Sequence, residues 1–251
     1  MKTLLKPTNL PALVVGLGFV AQALRRLLYA VAVDARGLLV SGHPLEIALG
    51  VLSPGVLAWV AWSLRKLDGS DAYEDNFFPG RNAMLGHLAA AFGIAMTVLT
   101  TEPALGGYVG LTWTVLGYAA PLCLMVSGTA RAQGKKPFFL LDLAPCLFLV
   151  LHLVCRYRLW SASAQLQHYV FALFGTIALM LFAFYTAAFS AGVGRRRMQL
   201  FFGLMAVYLL IAELAATDCS WLYLGGVLWA LTDLCTLEPR PKRESQPEEE
   251  T

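Results

Sequence analysis

Charge is what this sequence has least of. Asp, Glu, Lys and Arg together make up 14% of its 251 residues, against about a quarter in soluble domains. Too few charges remain to cover a water-exposed surface, so a soluble globular fold is excluded. Catalytic signatures are missing as well: there is no Walker loop, no dinucleotide glycine fingerprint, no HExxH, no paired CxxC and no Gly-x-Ser-x-Gly. Nucleotide-dependent, zinc-peptidase and serine-hydrolase chemistries therefore have no support. Five cysteines follow no regular spacing and read as small apolar fillers. Only Cys155 and Cys219 fall near one face, and whether they pair is open from sequence. The histidines, cysteines and carboxylates show no tight ligand spacing, so neither a metal nor another cofactor is expected, and no nucleic-acid partner is expected either.

What is present is apolar sequence in long runs. Hydrophobic residues make up 58% of the chain and the mean hydropathy is +0.63. A helix crosses a hydrocarbon core of about 30 Å with some 20 apolar residues, and the charges mark off runs of that size. There are 18 uncharged residues between Lys6 and Arg25, 18 between Glu46 and Arg65, 20 between Arg81 and Glu102, and 28 between Glu102 and Arg131. Alternating polarity in ten-residue segments, the mark of a membrane barrel, is absent. The expectation is an all-α polytopic membrane bundle over residues 1–237. Its eight transmembrane helices are expected at about 10–32, 45–64, 83–101, 107–127, 137–155, 166–191, 198–215 and 220–237. Pro54-Gly55 is the expected kink. Residues 238–251, Pro-rich and charged, are expected as a disordered cytoplasmic tail.

With eight crossings, fourteen of the nineteen Lys and Arg fall on one side and three (Arg36, Arg156, Arg158) on the other. Because Lys and Arg concentrate in cytoplasmic loops, both termini are expected inside, in the cell (inner, cytoplasmic) membrane. Residues 65–82 then form the longest cytoplasmic loop.

Ionisable groups in or beside spans are expensive in lipid and mark candidate sites. The outer half holds Arg25, Arg26, His43, Glu46, His152, Arg156, His168 and Glu213. His43 and Glu46 (i,i+3), like His152 and Arg156 (i,i+4), share a helix face. These eight are the candidate ligand-binding residues, lining a polar cavity open to the outside that binds or passes a small solute, an ion or a lipid headgroup. The structural alternative is snorkelling arginines, buried ion pairs and histidines anchored at the interface. Two other functions fit the same sequence: an integral-membrane enzyme acting on a lipid-linked substrate at the external leaflet, and an assembly or sensory partner of another membrane protein. On the inner half, Asp142 and Asp233 are expected to pair with Arg131, Lys135 or the Arg195–Arg197 cluster. The bilayer is the expected partner, and a small-molecule or lipid ligand the expected cargo.

Overall fold

The computed structural model describes residues 9–33, 39–40, 42–65, 72–77, 79–103, 105–162, 169–214 and 219–234. The expected tail and His168 lie outside them. Eight long helices and one short one account for nearly all of these residues: α1 Leu10–Val31, α2 Pro44–Leu64, α3 Tyr73–Asn76, α4 Arg81–Thr100, α5 Gly107–Ala132, α6 Phe139–Trp160, α7 Val170–Ser190, α8 Arg196–Glu213 and α9 Ser220–Leu234. Six of them (α1, α2, α4, α5, α6 and α7) are long and apolar enough to cross a membrane. The chain thus folds as an all-helical bundle of the multi-pass membrane type. Among the described residues, extended pairing is limited to one bridge, Val33 to Leu39, between α1 and α2.

Local sequence sets the boundaries. Proline near the helix start, harmless where no intrahelical donor is needed, opens α1 (Pro11) and α2 (Pro44), and the His43 side chain caps α2 by accepting from the Leu45 amide at 3.3 Å. Gly134 and Gly192, with φ of +74° and +84°, close α5 and α7. Beside them the Lys135 and Val193 amides donate back to the Ala130 and Ala188 carbonyls at 2.9 and 3.0 Å, the Schellman arrangement that suits a left-handed glycine.

Two helices outrun their expected ends. α5 continues past residue 127 to Ala132, and α6 past 155 to Trp160. The expected ends were placed on charge, but Arg131 is buried rather than solvated, so the helix does not stop for it.

α8 forms the centre of the bundle, packing against α7, α1, α9 and α2. Small residues set the closest approaches. Gly86 and Gly93 of α4 face Thr232, Trp221 and Gly225 of α9, and Gly128 of α5 faces His87 of α4. Without a hydrophobic drive between helices in lipid, such close backbone packing is a main source of cohesion. α2 is the peripheral element: it packs only on α1 and α8 among the well-packed pairs, and α2–α7 is not one of these.

Candidate functional site

The polar groups gather in three places. At the end of the bundle remote from α3, Arg25 of α1 is 3% exposed and forms an ion pair with Glu213 of α8. The same guanidinium donates to the Ala212 carbonyl at 3.4 Å and to the Tyr29 hydroxyl at 3.0 Å, and lies 4.8 Å from the centre of the Phe171 ring. Arginine suits this setting because its planar fork can satisfy an acid, a carbonyl and a ring face together. Arg26, the next residue along the helix, is exposed and takes no part.

Beside this pair lies a cleft of about 480 Å³. Leu49, Gly50, Ser53, Pro54 and Leu57 of α2 form one wall and Val170, Phe171 and Phe174 of α7 the other. Met205 and Leu209 of α8 form the floor, and Arg25, Tyr29 and Glu46 close one end. From Glu46 to Leu57 the wall rises roughly 16 Å at 1.5 Å per residue, half the thickness of a hydrocarbon core. Val170, Phe174 and Gly50 are exposed on the outside of the bundle, so the cleft opens sideways between α2 and α7. Its mid-section carries a polar link, Ser53 to the Tyr208 hydroxyl at 3.0 Å. The sequence pointed to a polar cavity open to the outside. Here the lining is mainly apolar, from the Leu, Pro, Val, Phe and Met side chains of α2, α7 and α8, with Ser53 midway and Arg25, Tyr29 and Glu46 at one end.

A second group sits between α5, α6 and the start of α9. Trp113 donates to Nδ1 of His152 at 3.4 Å. An indole N–H can only donate, so Nδ1 is the acceptor and Nε2 carries the hydrogen. Nε2 then faces the Cys219 sulfur at 3.9 Å, and Arg156 reaches that sulfur at 2.7 Å. Cys155 and Cys219 form no disulfide. Tyr223, hydrogen-bonded with Thr176, stands within electrostatic reach of Glu213, Cys219 and Arg156 and links the two groups.

The third group is at the opposite end. Arg131 donates to Asp142 at 2.9 Å and lies 3.5 Å from Asp233, with all three side chains at most 3% exposed. The Ser127 and Ser190 hydroxyls also donate to Asp142. The short helix α3 closes this group from outside: the guanidinium lies 4.4 Å from the Phe77 ring centre, and Phe77 meets Phe189 edge-on at 5.4 Å. Of the expected pairing options for Asp142 and Asp233, the structure takes Arg131. His87, fully buried beside Trp229 at 5.6 Å, donates from Nδ1 to the Ala83 carbonyl at 2.7 Å.

Tyr73 of α3 stacks on Phe77 at 4.8 Å, and burial pushes its phenol up to about 12, against the lowering pull of Arg131. The raised value means that docking of α3 favours the neutral phenol. This contribution is intact below pH 10 and is lost as the pH climbs from 10 towards 12. The tyrosinate absorbance that disappears in Tyr73→Phe is therefore expected to titrate near pH 12; titration near 10 would show that α3 is not seated.

Of the eight candidate residues, Arg25 and Glu46 line one end of the cleft, Glu213 is ion-paired with Arg25, and His152 and Arg156 lie in the separate Cys219 group. His43 serves as the α2 cap, Arg26 points away, and His168 lies outside the described residues. Sequence reasoning missed Tyr29, four residues after Arg25 on the same helix face, which i,i+4 spacing alone could have suggested. It also missed Ser53 and Phe171, which carry no such signal. No set of three or more His, Cys, Asp and Glu side chains suited to a metal ion occurs among the described residues. Neither a family model, nor a curated protein, nor a solved structure matches this chain.

Proposed function

We propose that this multi-pass membrane protein binds a bilayer amphiphile side-on, in the cleft between α2 and α7. One observation carries the reading: a sideways opening, apolar for the depth of a single leaflet, closed at one end by Arg25, Tyr29 and Glu46. A small polar solute would leave the apolar walls unmatched, whereas an acyl chain matches them and its head meets the polar end. The volume falls within the usual range for small-molecule sites. The lysine and arginine bias, with Lys135, Lys136 and Arg195–Arg197 at the α3 end, supports a cytoplasmic position for that end and hence the outer leaflet for the cleft.

Gly50 offers a direct test. It lines the cleft, and a Cβ placed there meets nothing within 4 Å, so Gly50→Phe fills the cleft without disturbing the helices. Displacing two methylenes of a bound chain costs about 1.6 kcal/mol, close to tenfold in affinity. The phospholipid retained by purified protein, measured by native mass spectrometry, is expected to fall accordingly. Gly55→Phe, whose Cβ also meets nothing within 4 Å but which does not line the cleft, should retain it. Equal retention in the two variants would refute the reading.

A further inference from the structure

Halfway along the cleft, α2 does not satisfy its own polar groups. The hydroxyls of Ser63, Thr97, Thr112 and Thr176 each donate to the carbonyl four residues back in their own helix, the local bond that lets a hydroxyl sit in a membrane helix. Ser53 does not. Its hydroxyl leaves α2 and meets the Tyr208 hydroxyl of α8 at 3.0 Å, the one hydrogen bond it makes among the described residues. Two hydroxyls hold two hydrogens, and one bond between them uses one. Tyr208 is fully buried, whereas Ser53 is half-buried and lines the cleft, so Tyr208 donates to Ser53 and the second hydrogen stays with Ser53. On the same wall, Pro54 has no amide hydrogen to give the Gly50 carbonyl four residues before it. The usual compensation is a Ser or Thr hydroxyl of the helix itself, but Ser53 is turned to Tyr208. Gly50 is exposed, lines the cleft and carries no Cβ, so a ligand can approach its backbone. A donor and an acceptor thus stand one turn apart on one wall, about 6 to 10 Å from Glu46 at 1.5 Å per residue.

We propose that the amphiphile held in this cleft carries a hydroxyl group partway down its chain, which donates to the Gly50 carbonyl and accepts from Ser53. This rests on the cleft being a lipid site. A hydroxyl both donates and accepts at a single atom, as the two wall groups require. An ester or ketone carbonyl only accepts, and would leave the Gly50 carbonyl without a donor. A trans amide directs its N–H and its oxygen to opposite sides and reaches one wall group alone. A plain acyl chain satisfies neither. Beyond the hydroxyl, the wall from Pro54 to Leu57 takes the apolar remainder of the chain. Tyr208 is a positioning residue: it holds the Ser53 oxygen away from the carbonyls of α2 and so keeps the Ser53 hydrogen for the ligand.

The test uses the full chain purified in detergent and exposed to uncharged glycerol monoesters, with bound ester counted by native mass spectrometry. The stearate ester competes in turn with the 10-hydroxystearate ester, whose hydroxyl reaches the depth of Ser53, and with the 3-hydroxystearate ester, whose hydroxyl stays beside the head. The wild type is expected to retain the 10-hydroxy ester over the stearate ester by about fivefold, the scale of one net hydrogen bond, and to show little preference for the 3-hydroxy ester. Ser53→Ala/Tyr208→Phe removes both hydroxyls together, so no buried donor is stranded. It is expected to bring the 10-hydroxy preference to about twofold or less, the Gly50 carbonyl alone remaining, while retaining as much stearate ester as the wild type. Tyr208→Phe by itself, which lets Ser53 donate back into α2, should lower the preference in the same direction. Equal retention of the 10-hydroxy and stearate esters by the wild type, a stronger preference for the 3-hydroxy ester, or a preference unchanged in the double variant overturns the hydroxyl assignment. That result leaves the cleft reading in place as long as Gly50→Phe still lowers the total ester retained, and if Gly50→Phe lowers nothing, the cleft reading itself falls.

Discussion

Replacing Arg131 with leucine is expected to cost about 3–5 kcal/mol, the range seen when one partner of a buried ion pair is removed, and to lower the melting temperature by roughly 10 °C or more. Arg131 pairs with both Asp142 and Asp233. Without it, two buried carboxylates from α6 and α9 are left close together, and the Phe77 ring that follows α3 loses the guanidinium it covers. Asp142→Asn should cost less. Asparagine can still accept from Ser127 or Ser190, and Arg131 still has Asp233. The decisive measurement is the double variant Arg131→Leu/Asp142→Leu. Because the charges leave together, its loss should be well below the sum of the single losses, with a coupling of about 1–3 kcal/mol. Additive losses would mean that the two residues are not paired in the folded bundle.

The helical architecture was legible because lipid imposes it: wherever charges were about 20 residues apart, the chain had to form a helix that satisfied its own backbone. Pro44, Pro11 and the glycines at 134 and 192 then placed the ends locally. Ends set by tertiary contact were not legible. Arg131 was one of several possible partners for Asp142 and Asp233, and only the packing of α5 on α6 and the approach of α9 select it and make it an interior residue. The tiny helix α3 was likewise hidden in a loop rich in acids, since its reason for existing is the Arg131 guanidinium beneath Phe77. For the candidate site, the sequence showed which polar groups share a depth but not which helices neighbour each other. Arg25 and Glu213 meet because α1 packs on α8, nearly two hundred residues away. Glu46 lines the cleft from α2, which packs on α1 and α8 at the edge of the bundle. His152, at the same depth, is carried off to the α5–α6 side, where Trp113 and Phe148 surround it. The cleft itself is a gap between α2 and α7, and a gap between two helices leaves no periodicity in either.

The seam between α4 and α9 shows the same dependence on neighbours and carries the other large expected effect, Gly93→Ala. A Cβ on Gly93 would sit 2.5 Å from the Trp221 carbonyl oxygen and 3.1 Å from the Gly225 Cα, and one on Gly225 would sit 2.6 Å from the Ala89 carbonyl oxygen. These are backbone atoms of the facing helix and cannot rotate out of the way, so one methyl group forces α4 and α9 apart. Overpacking of this kind costs about 1–3 kcal/mol, only partly offset by the better helix propensity of alanine. The separation also reaches the ion pairs, because Asp233 lies two turns beyond Gly225 on α9 and its approach to Arg131 depends on that seam. Gly16→Ala provides the comparison: Gly16 lies in the exposed face of α1, and its Cβ would meet nothing within 4 Å. That variant should be neutral or more stable by about 0.5–1 kcal/mol. Thermal unfolding of the two alanine variants in the same detergent should therefore move in opposite directions, with Gly93→Ala several degrees below the wild type. A Gly93→Ala protein that melts with the wild type would mean that α4 and α9 are not in backbone contact.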